Sequence, residues 1–296
     1  MKTPSARLAF AALLLASAAR FAAAGALEDA ASAAAFSLDG AAQGFQALLA
    51  AEEPSARQKL LDGKLRSAAS STNVAEIKRL VALGANPNAN DGMNFTPLTT
   101  AVMSHGDVEV LKTLLALGAK VDLKGVCDVT ALHYAASEGR LEAAKFLVAN
   151  HAVVDAQACL GETPLVEAAE GGKLDVFMYL FGLGANPNAA NYHKKTPLMF
   201  AIDQWVELDK NEMLKALLAD KRTDANLRDE DGMTVLKLAV KGRKVDTIKL
   251  LLKIPGLNVN DNGGGMTALF LAELDRQDEI VKLLRAAGAD GSLASR

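Results

Sequence analysis

The sequence has no surplus of positive charge. Its 32 lysines and arginines face 35 acidic residues, a formal net charge of −3 with a pI near 5.9. It therefore has little with which to neutralise phosphates, and neither nucleic acid nor an anionic membrane face is expected as its main partner. The marks of disorder are also missing, because 50% of the 296 residues are hydrophobic and the 23% that are charged mix both signs. A sizeable core is expected. Cysteine is scarce, with only Cys127 and Cys159. No Gly-x-Ser-x-Gly nucleophile turn occurs, and His105, His151 and His193 are not spaced with other ligands in a zinc pattern. The stretch "NVNDNGGGMT" from Asn258 lacks both the closing glutamate of a calcium loop and the Gly-Lys-Ser/Thr of a phosphate loop. No catalytic residue, metal or cofactor is expected from these patterns.

Long apolar runs are absent except at the start. Lys2 and Arg7 precede nine apolar residues, Leu8 to Ala16, followed by small residues through Ala22-Ala23-Ala24. This reads as a secretory signal peptide over residues 1–24, cleaved after Ala24 or after Ala18. The run is short for a membrane span, and Arg20 interrupts its continuation. Without a cysteine at the cleavage site, lipid attachment there is not expected. The expected destination is the periplasm or beyond, with no membrane contact after cleavage. Residues 25–60 contain Phe36, Phe45, Leu48 and Leu49 in a helical composition, and form either an irregular helical cap or a linker reaching to Pro54.

What dominates the rest is a period. "TPLTTAV" at Thr96 returns as "TALHYAA" at Thr130, "TPLVEAA" at Thr163, "TPLMFAI" at Thr196, "TVLKLAV" at Thr234 and "TALFLAE" at Thr267, in steps of 34, 33, 33, 38 and 33 residues. One step before Thr96, "GKLRSAA" at Gly63 keeps Leu65, Ala68 and Ala69. A threonine can cap the free N–H groups of a helix, and proline just after it loses nothing in the first turn. Leu132, Ala135 and Ala136 then share one helix face, and Leu141, Ala144, Phe146 and Leu147 stripe a second helix. Gly84, Gly118, Gly184 and Gly288 stand where a left-handed residue ends that helix. Asn and Asp follow, suited to a turn.

A 33-residue period with this Thr-Pro-Leu motif resembles the ankyrin repeat. The resemblance implies an all-α solenoid of about seven helix-turn-helix units with β-hairpin loops, spanning residues 61–296. Two short helices cannot enclose their own apolar face, so units must stack on one another. Arg276, Gln277, Asp278 and Glu279 make the last unit more polar, as a terminal cap requires. The resemblance also gives His133 a structural role, linking the turns of neighbouring units. Cys127 and His133 as a nucleophile–base pair is the alternative, and no third orienting residue accompanies it. Cys127 and Cys159 fall on the tips of successive hairpins. Stacked units lie roughly 10 Å apart, so a disulfide between them requires the tips to lean together.

In the ankyrin family, partners are held on the concave face made by hairpin tips and first helices. Carried onto this chain, that face takes in Phe95, Val129, Lys195, Met233 and Met266 just before the threonines, with Tyr192 and His193 at a tip. It adds Met103, Glu138, Glu170 and Asp203 at first-helix ends. Either these residues form a surface that favours cover, or they pack between adjacent fingers. The 38-residue step holds an insertion around "DQWVELDKNE". There Trp205, beside Asp203, Glu207 and Asp209, is either a partner anchor or packing over its own unit. The expected function is a non-enzymatic, monomeric module binding a protein partner. A secreted effector acting on a host protein, or an enzyme or redox protein using Cys127 and Cys159, are the alternatives.

Overall fold

The computed structural model describes residues 54–90, 95–203 and 211–293. The expected signal peptide over 1–24, the part of the cap or linker before Pro54, and Trp205 lie outside the described residues. Residues Met1–Arg57 and Gln58–Arg296 form two units, and the second carries the repeats. The helix holding Leu65, Ala68 and Ala69 begins at Pro54, so residues 54–60 are its first turns.

Among the described residues, fourteen α-helices fall into seven pairs. They are α1 (Pro54–Ser70) with α2 (Val74–Ala82), α3 (Pro97–Ser104) with α4 (Val108–Ala116), α5 (Ala131–Ser137) with α6 (Leu141–Ala149), α7 (Pro164–Glu170) with α8 (Leu174–Gly182), α9 (Pro197–Asp203) with α10 (Glu212–Ala219), α11 (Val235–Lys241) with α12 (Val245–Leu251), and α13 (Ala268–Leu274) with α14 (Asp278–Ala286). From α3 onward each first helix packs on the next first helix, while second helices pack in sequence from α2 to α10 and again between α12 and α14.

The threonines start the first helices as their sequence places them. The Thr96, Thr163, Thr234 and Thr267 hydroxyls accept the N–H of the third helical residue, and proline occupies the first turn of α3 and α7. At Thr96 the cap is reciprocal, because Thr99 Oγ1 accepts the Thr96 N–H at 2.9 Å. Two residues beyond each threonine stands a leucine with at most 2% exposure, namely Leu98, Leu132, Leu165, Leu198, Leu236 and Leu269. Five beyond stands an alanine equally buried, which lets adjacent first helices approach closely. In α6 the buried stripe is Ala143, Ala144 and Leu147, while Leu141 and Phe146 are only half-buried. The expected glycines end the second helices with positive φ, 101° at Gly84 and 92° at Gly184. His151 does the same at φ 69°, a conformation that costs a side-chain-bearing residue about 1 kcal/mol.

The loops between units differ from the expected β-hairpins in one respect: they make no strand among the described residues. Four of the fingers close on a backbone bond across the turn, Gly125 N–H to Val129 O (2.8 Å), Ala158 to Glu162 (2.9 Å), Asn191 to Lys195 (3.1 Å) and Asp229 to Met233 (3.0 Å). The residue two before the threonine turns the chain back with positive φ, at Asp128, Gly161, Lys194 and Gly232. The residue after each closing one is already the N-cap threonine of the next helix, which leaves no length for a ladder.

A second tie binds the far end of the units. The Asn88 side chain donates to Gly118 O at 2.8 Å and accepts the Lys120 N–H at 2.8 Å, clasping the next unit with both ends of its amide. Asn188, Asn226 and Asn260 repeat the clasp onto the units that follow them. Asp122 and Asp155 stand in the same place but only accept, from Val153 and Asn186. A carboxylate has no proton to donate, so those two steps keep half the clasp.

At the C-terminal end the sixth residue past the threonine, buried in the units from Val102 to Val240, becomes exposed Glu273, paired to Arg285 at 2.7 Å. Arg276, Asp278 and Glu279 are exposed as expected of a terminal face, but Gln277 turns inward as the N-cap of α14, 8% exposed.

Candidate partner-binding face

His133 is structural. It is 1% exposed, and its Nδ1 accepts the Thr130 N–H at 3.1 Å, so its Nε2 carries the proton and donates to Glu162 O of the next finger at 3.2 Å. Burial pushes its pKa down, only partly offset by that carbonyl. A neutral imidazole already committed on both nitrogens has no free base for Cys127. In the sixth unit the same place holds Lys237, also 1% exposed, whose ammonium donates to Gly232 O (3.0 Å), Gly263 O (2.7 Å) and Asp261 Oδ1 (2.6 Å). It makes the same link to the next finger, by charge.

In the fifth unit the finger and the first helix carry a column of three residues. Lys195, one before its threonine, lies 5.9 Å from the Phe200 ring, four after it, and 3.1 Å from Asp203, seven after it. The equivalent column is Val129, Tyr134 and Ser137 in the third unit, Glu162, Glu167 and Glu170 in the fourth, and Met233, Leu238 and Lys241 in the sixth. Phe95 joins adjacent columns, its ring 6.0 Å from that of Tyr134. The middle positions Tyr134, Glu167, Phe200 and Leu238 are half-buried and were absent from the residues assigned by sequence. Helical spacing held the clue for Tyr134, Glu167 and Phe200, since each lies one turn before an assigned helix end.

The assigned residues divide by exposure. Met103 (37%), Tyr192 (55%) and Met266 (39%) are exposed large apolar side chains, and Glu138, Glu170 and Asp203 are exposed too. Phe95, Val129, His193, Lys195 and Met233 are half-buried. His193 pairs with Glu230 of the next finger and packs on the Tyr192 ring. Between the fifth and sixth units a cleft of about 330 Å³ opens, lined among others by Lys195, Asp203, Met233, Leu238, Lys241 and Lys244.

The fourth unit gives the face an acidic step. Burial first, and then the neighbouring Glu170 and Glu162 charges, together raise the Glu167 carboxyl to about 7. A carboxyl protonated more readily when folded favours the folded state below its unfolded pKa and loses that advantage as pH rises through 7. Glu167→Gln should therefore flatten the fall of Tm between about pH 4.5 and 7, and stabilise by about 1 kcal/mol at pH 8 after solvent screening. Thermal melts across that range check it. An unchanged slope contradicts the assignment.

Such an array defines a helical repeat scaffold; among the described residues no group of three or more His, Cys, Asp or Glu could hold a metal, and no helix is long and apolar enough to cross a membrane. The chain belongs to the ankyrin repeat family: the model for "Ankyrin repeats (3 copies)" matches residues 65–158, 105–191, 132–219 and 198–294. It is similar to human transient receptor potential cation channel subfamily A member 1, 28% identical over 107 residues, 36% of this chain and 9% of that protein. It is also similar to human and mouse SH3 and multiple ankyrin repeat domains protein 1, each 42% identical over 62 residues, 21% of this chain and 3% of theirs. The matches thus span under a tenth of these relatives' length. Ankyrin repeats are in general protein–protein interaction modules.

Proposed function

We propose that this chain is an exported, non-enzymatic module that binds a protein partner on the face made by its fingers and first helices. The observation that supports the reading most is the row of columns itself. Met103, Tyr192 and Met266 are large apolar side chains left exposed, on backbone held by buried caps and closed fingers, so little ordering entropy is lost on association. Partner chemistry follows the row: apolar and aromatic groups against Met103, Phe95 and Tyr134, and a basic group against Glu162, Glu167 and Glu170. Export rests on the N-terminal basic-then-apolar pattern, and the scaffold alone favours no destination. A secreted effector acting on a host protein would use the same face.

The double variant Tyr192→Ser with Met233→Ser should leave Tm within about 2 °C, because surface changes away from structural features cost little, while weakening capture of the protein retained by the wild-type chain from a periplasmic extract at least tenfold. Capture unchanged by the double variant places the partner elsewhere. A large fall in Tm shows these side chains to be core.

A further inference from the structure

The sequence leaves open whether neighbouring fingertips lean together far enough for Cys127 and Cys159 to meet. Cys127 is three residues before Thr130, and Cys159 is four before Thr163. The Cys159 N–H donates to the Cys127 carbonyl at 2.7 Å. With standard backbone lengths, a bond of that length holds the two Cα atoms at most about 6.5 Å apart, inside the upper limit of about 6.8 Å that a disulfide spans.

The same register recurs elsewhere, where it shows what the side chains do. Glu230, four before Thr234, donates its N–H to the carbonyl of His193, three before Thr196, at 2.9 Å. There the two side chains are in direct hydrogen-bonding contact. The position three before one threonine and the position four before the next thus form a cross-finger pair, held by a backbone bond and joined by side chains. One pair is acid and base. The other is two thiols, both exposed and both free in this structure.

We propose that Cys127 and Cys159 are a built modification site, a cross-finger dithiol that a hydroperoxide converts to an intramolecular disulfide. The Cys127 thiolate attacks one peroxide oxygen, and the O–O bond breaks to give Cys127 sulfenic acid and hydroxide, which takes up the proton Cys127 released and becomes water. The Cys159 sulfur then attacks the Cys127 sulfur. The S–O bond breaks and the oxygen leaves with the Cys159 proton as a second water. Two thiols lose two electrons and hydrogen peroxide gains them. Either thiol can open the sequence with the other resolving it, and both orders form the same bond; hydrogen bonding with the Cys127 side chain chiefly holds the Cys159 proton above the ordinary thiol value. The bond joins the third unit to the fourth. At that step the asparagine clasp is only half made, since Asp122 accepts from Val153 and cannot donate back.

The test uses the full chain, reduced and then treated with dilute hydrogen peroxide. Both thiols should disappear together, the intact mass should fall by the about 2 Da of two hydrogens, and digestion should yield a peptide joining Cys127 to Cys159. Tm should rise by about 5 °C and return on reduction. Cys127→Ser and Cys159→Ser should each abolish the mass loss and the Tm gain while melting like the reduced wild type. Sulfinic acid at one cysteine with the other thiol intact, covalent dimers in place of the 2 Da loss, or two thiols that survive peroxide would each overturn the proposal. It stands independently of the proposed partner, since no outcome depends on binding.

Discussion

Asp261→Ala lowers the folding free energy by about 3–5 kcal/mol, because it strands an ammonium that has no route to water. Lys237 is 1% exposed and Asp261 5%. With the carboxylate gone, Lys237 Nζ keeps only the Gly232 and Gly263 carbonyls. Asp261 is itself well served. Burial pushes its carboxyl up, but hydrogen bonds from Lys237, Arg228 and the Gly263 N–H outweigh that and hold its pKa below the ordinary value. Its contribution is therefore present above the unfolded carboxylate pKa and is lost as pH falls through the folded one. The converse variant, Lys237→Met, leaves Asp261 with Arg228 at its half-exposed edge and costs less. In the Lys237→Met background, Asp261→Ala should recover at least about 2 kcal/mol of its cost, since an apolar pair can replace a buried ion pair at little loss. Denaturant titrations of the four proteins measure this. Simple additivity would mean that the pair is not coupled and that Lys237 finds water.

That pair also marks where the sequence stops being readable. The buried leucines, the alanines behind them, the capping threonines and the helix-ending glycines recur once per unit, so the period alone assigns them. Lys237 stands where His133 stands, and both reach into the next finger, yet the sequence says only that the residue type changed. The reach depends on how one unit leans on its neighbour. Asn88, Asn188, Asn226 and Asn260 show the same limit, since their residue type suits a turn and their clasp exists only across the stack. The cysteines are the sharpest instance. A uniform spacing of units separates their tips, whereas fingers tilted until backbone bonds form bring them together.

The face was legible at its ends and not in its middle. Met103, Glu170 and Asp203 mark helix termini, and Lys195 and Met233 precede the caps, so sequence finds them. Tyr134, Glu167 and Phe200 lie between, on helices whose other positions are core. Half-burial there is decided by the width of the groove between columns, which no single unit sets. Trp205 lies outside the described residues, and its assignment as an anchor stays with the sequence reading.

Phe177→Ala should be the most damaging single truncation in the outer layer, and its signature should be loss of cooperativity as well as loss of stability. Phe177 has no exposure, sits in α8, and stacks on Phe181 with centroids 5.6 Å apart. Phe181 in turn lies beneath the Arg222 guanidinium of the next unit, 5.5 Å away. Deleting a buried phenylalanine costs about 3–5 kcal/mol. In a compact domain that loss lowers one transition as a whole. In a stack whose stability is a sum over neighbouring interfaces, a defect in the fourth of seven helix pairs instead loosens the junctions on either side. Melting should then split or broaden, and amide protection should fall first in α7 to α10 while α3 and α4 keep theirs. Leu269→Ala, which damages the last pair, should only fray that end and leave the main transition sharp. A single sharp transition for Phe177→Ala, with protection lost evenly from α1 to α14, would mean that the chain unfolds as one body, and the nearest-neighbour account of its stability would fail.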